Sequence, residues 1–339
     1  MSSELKRLEQ INEELVRVPN LTRHELLGMK VIQESQELVH RVGATNKPTQ
    51  SLPFTKLYLP MAFTGILEPK KLVDKTHRAI QILLPGTGTT FSVAETLCDV
   101  AGTFHGRKSK NRGTGRKSNQ SLLTELLPEG ETFRVASFPA DLPLNGMGSD
   151  APFEFASEHG LMTIIRHVHL VLSRLYPDRP VFIAGRSQGG IAGIMYAQHY
   201  HDLAGAIAVN PPHPDPELFQ FTVQYLEEKA GILADLLHAP GVTLHDYSWE
   251  AYKTFTPNFN YPSRPSLSPI LILVSLGDPF NLFPQYLHKL QEFAENDEKC
   301  KLHILDAGHN LWDRKSVDTY QDVINLHIQF MLNQIKFRL

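Results

Sequence analysis

Two cysteines, Cys98 and Cys300, are all that 339 residues contain. That number excludes a disulfide framework, and neither residue lies in a metal-ligand pattern. No metal is expected, and both thiols are read as free, which suits a reducing compartment. A bias of charge is missing as well. Lys and Arg number 33 against 36 Asp and Glu, for a net charge of -3 and a pI near 6.6. Bulk electrostatics therefore argues neither for nor against a nucleic-acid partner; none is expected. No apolar run approaches the ~20 residues that span a bilayer. The N-terminus, MSSELKRLEQINEELVRV, lacks the apolar core of a signal peptide. A cytoplasmic location is the expectation. No internal repeat is evident, and the composition says nothing of oligomeric state.

What the chain does have is 42% hydrophobic residues, enough for a large α/β domain. Residues 1–43 read as helical. Leu5, Leu8, Ile11 and Leu15 recur at helical spacing. Thr22 and Glu25 form a capping-box pattern before a second helix expected to run to Val42 and stop at Gly43. The expected organisation is an N-terminal helical extension over 1–50 and a main domain over 51–339. After a connector at 44–53, TKLYLPMAFTGIL reads as one or two opening strands. Strands then alternate with helices. Strands are expected at 78–86, 132–140, 180–185, 204–212, 268–278 and 300–309. Helices are expected at 92–104, 158–175, 188–200, 284–295 and 317–335. Near-continuous apolar strands separated by amphipathic helices predict a mostly parallel sheet covered on both faces. In such a sheet the active site lies beyond the C-terminal strand ends.

Two segments interrupt this alternation. Residues 105–120, HGRKSKNRGTGRKSNQ, carry six Lys or Arg residues. They read as a solvated loop, with a site for an anionic head group or phosphate, and hence peripheral membrane contact via 107–117, as the sharper alternative. The segment is not a P-loop, because the spacing before Lys117 is wrong and no strand is expected before it. Residues 211–266 form a long insertion between two strands, beginning with Pro211, Pro212, Pro214 and Pro216. A cap over the strand ends is the expected role. Its aromatic residues, Phe219 and Trp249 among them, are candidate substrate contacts or the cap's own core.

The chemistry centres on Gly185-Arg186-Ser187-Gln188-Gly189, a G-x-S-x-G pattern after an apolar strand and before a helical run. A serine hydroxyl is a weak nucleophile. It needs a base within reach, a group to orient that base, and donors for the oxyanion. The other strand ends offer each part. His309 follows the last strand and is the candidate base. Asp278 ends the strand ILILVSLGD and is the candidate orienting acid, with Asp306 and Asp215 as fallbacks. The backbone N–H groups of Gln188 and of Thr87, with Gly88 as its neighbour, are candidate oxyanion donors. Thr87 and Gly88 belong to the loop PGTGT, which lacks the G-x-G-x-x-G of a dinucleotide site. Arg186 is a candidate contact for an acidic substrate group, or the partner of a nearby carboxylate.

The stretches GRSQGG, SLGDPF, DAGHNLW and LLPGTGT, in the order Ser, Asp, His, resemble the α/β-hydrolase superfamily over residues 55–335. Pro85 and Arg186 depart from residues common there. The resemblance implies an α/β-hydrolase fold and a serine hydrolase, esterase- or lipase-like. Such an enzyme acts on a small-molecule ester or acyl substrate and needs no cofactor. Alternatives are a peptidase of the prolyl-oligopeptidase type, an acyltransferase, and a binding protein on the same scaffold.

Overall fold

The computed structural model describes residues 3–17, 31–34, 39–42, 45–48, 54–59, 64–67, 73, 75–84, 86, 103–106, 122–124, 126–140, 142, 158–211, 265–278, 284–308 and 317–336. Its elements begin with helix α1 (Ser3–Arg17), on which Leu5, Leu8 and Leu15 form the expected buried stripe. Short strands follow: β1 (Val31–Glu34), β2 (Val39–Val42), β3 (Thr45–Pro48), β4 (Phe54–Leu59) and β5 (Thr64–Leu67). β1, β4 and β5 form a three-stranded antiparallel sheet, and β2 pairs with β3.

The second N-terminal helix is therefore corrected: Val31–Glu34 and Val39–Val42 are strands. Val31, Ile32, Val39 and Val42 are β-branched, and β1 finds a ladder on β4, with Val31 opposite Leu57. Gly28 lies inside the helix that the capping-box pattern proposed, a position that costs a helix ~1 kcal/mol relative to alanine. The capping residues Thr22 and Glu25 lie outside the described residues.

The main sheet is built from β6 (His77–Leu84), β7 (Thr103–Gly106), β8 (Leu122–Thr124), β9 (Thr132–Pro139), β10 (Val181–Arg186), β11 (Gly205–Val209), β12 (Ile270–Gly277) and β13 (Cys300–Gly308). The strand order is β13-β12-β11-β10-β6-β9-β7-β8. Six strands from β13 to β9 run parallel, while β7 pairs antiparallel with β9 and parallel with β8. Helices α2 (Glu158–Leu175), α3 (Gln188–His199), α4 (Pro284–Asn296) and α5 (Val317–Lys336) alternate with these strands as expected. Two details differ. β7 begins at Thr103, inside the helix expected over 92–104, so a strand does precede the basic segment; only the Lys117 spacing argues against a P-loop there. β8, too short to show a period of its own, was not anticipated.

The apolar strand faces divide between two cores. Ile80, Ile82, Ile183, Ala206 and Ile272 pack under α2, α3 and α4, with Leu5 and Leu8 of α1 joining from behind α2. Ala79, Phe182, Ile207, Leu271 and Leu273 pack under α5 through Ile328, Phe330 and Met331. The sheet is buried on both faces, which is why its strands read as near-continuous apolar runs. Polar pins fix α1 to α2: Asn12 Nδ2 donates to the Thr163 carbonyl at 3.1 Å, and Asn12 Oδ1 lies 2.8 Å from His167 Nδ1. Cys300 is a free, buried thiol whose pKa burial raises. Cys98 and most of the insertion at 211–266 lie outside the described residues.

Candidate active site

β10 is a central strand, with Gly185 paired to Leu84 of β6 and to Ala208 of β11. Its C-terminal end turns directly into α3, and Ser187 is the single residue between them. Ser187 has φ 51 and ψ -123. A left-handed φ with that ψ is a region natural to glycine and costly for a residue with a Cβ. The turn is held by backbone bonds. Ser187 N–H donates to the Val209 carbonyl at 2.9 Å, and the Ser187 carbonyl accepts from Gly190 N–H at 2.8 Å. The side chain makes no capping bond to α3, so the turn is not explained by helix capping.

The two flanking glycines are required by contacts. A Cβ on Gly185 would overlap the Gly189 carbonyl, and a Cβ on Gly189 would overlap the Leu84 carbonyl. The collisions are thus between strand and helix backbones, and not with the serine itself. Gly193 continues the close approach: its Cβ would lie 3.2 Å from Ile183 Cγ2. Gly86, from the loop after β6, lies beside the serine. A Cβ there would sit 3.1 Å from Ser187 Cβ and 3.7 Å from its Oγ. The glycine loop therefore reaches the hydroxyl, although Thr87 and Gly88 themselves lie outside the described residues.

Gln188 opens α3. The first turn of a helix directs its N–H groups out of the N-terminus, where the helix dipole is positive, toward the space around Ser187.

Asp278 directly follows β12, two strands away, and is fully buried. Its N–H donates to the Ser275 carbonyl at 3.2 Å. Arg186 feels it. Burial lowers the guanidinium's pKa, and the negative charge of Asp278 raises it part of the way back. The candidate acid is thus a carboxylate whose charge reaches Arg186.

His309, Phe219, Trp249 and Asp215 lie outside the described residues. β13 delivers the chain to Gly308, paired with Gly277 of β12, one residue before His309 and one before Asp278 respectively. Asp306 is exposed, a poor setting for an orienting acid. His199 Nδ1 lies 2.8 Å from the Met195 carbonyl at the end of α3. No group of His, Cys, Asp or Glu suited to a metal occurs among the described residues.

The sequence reading missed Asn210 and Ser275. Asn210 is fully buried, has φ 45, and bonds Ser275 with both ends of its amide. The available signal was an asparagine closing an apolar strand just before Pro211-Pro212, since asparagine tolerates left-handed backbone better than most residues.

No family model matches the chain, and no curated protein matches it by sequence. Solved structures do. An enol-lactonase of Burkholderia xenovorans LB400 is similar at 15% identity over 79% of this chain and 97% of its own, with a TM-score of 0.47. The Pyrococcus horikoshii acylaminoacyl peptidase is similar at 10% identity over 90% of this chain, TM-score 0.46, with 41% of its own length covered. A structure from a study of Nitrososphaera gargenis carboxylesterases is similar at 12% identity over 84% of this chain and 100% of its own, TM-score 0.49. The fold assignment rests on the chain's own strand order and on its strand–serine–helix turn. No described helix is long and apolar enough to cross a membrane.

Proposed function

Starting from an α/β-hydrolase fold, we propose that this chain is a serine hydrolase that cleaves a carboxylic ester or thioester. The observation that carries the reading is the backbone of Ser187. A non-glycine residue sits at φ 51, ψ -123 between a central parallel strand and a helix, with obligatory glycines two residues to either side. Ordinary chain reversal does not require that strain, whereas presenting a side chain above the sheet does.

In this mechanism His309 takes the proton of Ser187 as Oγ attacks the acyl carbonyl. The N–H groups of Gln188 and Thr87 receive the oxyanion, each typically worth about 2.7–4 kcal/mol to the transition state. The tetrahedral intermediate collapses, the alcohol or thiol leaves with the proton from His309, and an acyl-enzyme remains on Ser187. Water, deprotonated by His309, attacks the acyl-enzyme. The acid departs, and the proton returns to Ser187. Asp278 holds the imidazole tautomer and stabilises the imidazolium. Burial suits that task, because a charge acts more strongly in a low-dielectric site. The step needs no metal or organic cofactor. Aromatic residues of the insertion, Phe219 and Trp249 among them, suit an apolar acyl group.

A fluorophosphonate probe tests the reading. Labelling of the folded chain is expected, lost in Ser187→Ala and strongly depressed in His309→Ala. A folded protein that takes no label refutes it. A chain-length series of p-nitrophenyl esters, run beside thioester and peptide substrates, then defines the acyl group and the bond.

A further inference from the structure

Ser187 and Asp278 leave different strands, with β11 between them, and something must fix the distance from one to the other. The backbone ladder does not reach far enough. The last pair of β11 and β12 is Val209 with Leu273, five residues short of Asp278. On the other side of β12, the register with β13 shifts between Ser275 and Gly277. Pairing then resumes at Gly277 opposite Gly308, so the acid is held on the β13 side, while on the side toward Ser187 no backbone pair follows Leu273.

Asn210 occupies that gap. Its N–H donates to the Leu273 carbonyl at 2.8 Å. Its Oδ1 accepts the Ser275 N–H at 2.7 Å, and its Nδ2 donates to Ser275 Oγ at 3.1 Å. One side chain thereby continues the β11–β12 pairing past its last backbone rung. The connection runs on in both directions. The carbonyl of the preceding residue, Val209, takes the N–H of Ser187, and the carbonyl of Ser275 takes the N–H of Asp278. Asparagine suits the position twice: its amide offers one acceptor and one donor, and it tolerates a φ of 45.

We infer that Asn210 is a positioning residue, which ties the turn presenting Ser187 to the loop carrying Asp278 and so sets the acid's place relative to the nucleophile. The inference rests on the serine-hydrolase reading. In this role Asn210 acts through Asp278.

The test is the rate of fluorophosphonate labelling as a function of pH, measured on the full chain. Wild type, Asn210→Gly, Asp278→Ala and the double variant are compared. Glycine keeps the positive φ comfortable and deletes only the amide. Asn210→Gly is expected to slow labelling at least tenfold. It should also move the acid limb of the profile to lower pH, because the imidazolium loses its aligned carboxylate. The double variant should be no slower than Asp278→Ala alone. Ser275→Ala, which removes only the Oγ bond, should show the same pattern more weakly, and it serves if Asn210→Gly does not fold. Losses that multiply in the double variant, or an unmoved acid limb, overturn the inference alone. So does wild-type labelling by Asp278→Ala, which leaves Ser187 as nucleophile. Failure of the folded wild type to label overturns the hydrolase reading, and this inference with it.

Discussion

Replacing Ser187 by glycine should leave the fold more stable than replacing it by alanine, the reverse of the usual order. At an ordinary position Gly is less stable than Ala by about 0.5–1 kcal/mol, because the unfolded chain gains freedom. Ser187 is not ordinary. At φ 51, ψ -123 a Cβ is held in a conformation that costs about 1–3 kcal/mol and that glycine adopts freely. Alanine keeps that cost and loses only the hydroxyl. Glycine sheds it and pays the entropy term, for a net advantage over alanine of about 1 kcal/mol. Unfolding entropy near 2.1 cal/mol/K per residue makes that about 1–1.5 °C in Tm for a chain of 339 residues. Differential scanning calorimetry resolves such a shift, and urea midpoints give an independent measure. Both variants should be inactive, so activity cannot confound the comparison. An alanine variant more stable than the glycine variant would show that Ser187 is unstrained and would remove the observation on which the functional reading stands.

Gly189→Ala should fail to give soluble folded protein, or lose several kcal/mol, since its Cβ meets the backbone carbonyl of Leu84 and no flexible side chain can yield; circular dichroism and expression yield check this, and a wild-type melt would contradict the strand–helix contact. Stability should fall in mild acid. Burial pushes His167 and His327 down to about 4, so the native state stays neutral while the unfolded chain takes up protons. The contribution is therefore complete above pH ~6.5 and is lost as pH falls toward 4, by up to about 3 kcal/mol per histidine. Urea titrations across that window measure it, and a flat profile would contradict the burial of both rings. Asn12→Ala should lower stability by about 1–3 kcal/mol, because it strips the partner from buried His167 and from the Thr163 carbonyl; a neutral result in urea titration would mean that α1 is not pinned there.

The parts legible in the sequence were those in which local pattern and tertiary role agree. β10 and β12 are apolar on both faces because the sheet is covered on both faces, and α2 and α3 could be placed from the same pattern. The glycines around Ser187 could be read because one geometric demand, two backbones crossing closely, leaves one residue type. The N-terminal strands could not. Val31–Glu34 is four residues long, too short for a period to show, and its partner lies on β4, which a local pattern cannot reveal. Asn210 escaped for a related reason. Its purpose lies in Ser275, 65 residues on, and a lone asparagine before two prolines reads first as a turn. Arg186 could be seen as unusual, but that the charge of Asp278 reaches it depends on strands that are far apart in sequence.

The attachment of α1 has a consequence for how the chain assembles. Asn12 and His167 are 155 residues apart, so at 5–20 residues per second a ribosome needs roughly 8–30 s to supply the partner after α1 has been made. Through that interval Leu5, Leu8 and Leu15 form an apolar stripe whose docking site does not yet exist. A contact of such span also slows spontaneous refolding, because the loop must close before the stripe is rewarded. During synthesis the stripe on α1 is thus an exposed apolar surface and a natural handle for a chaperone.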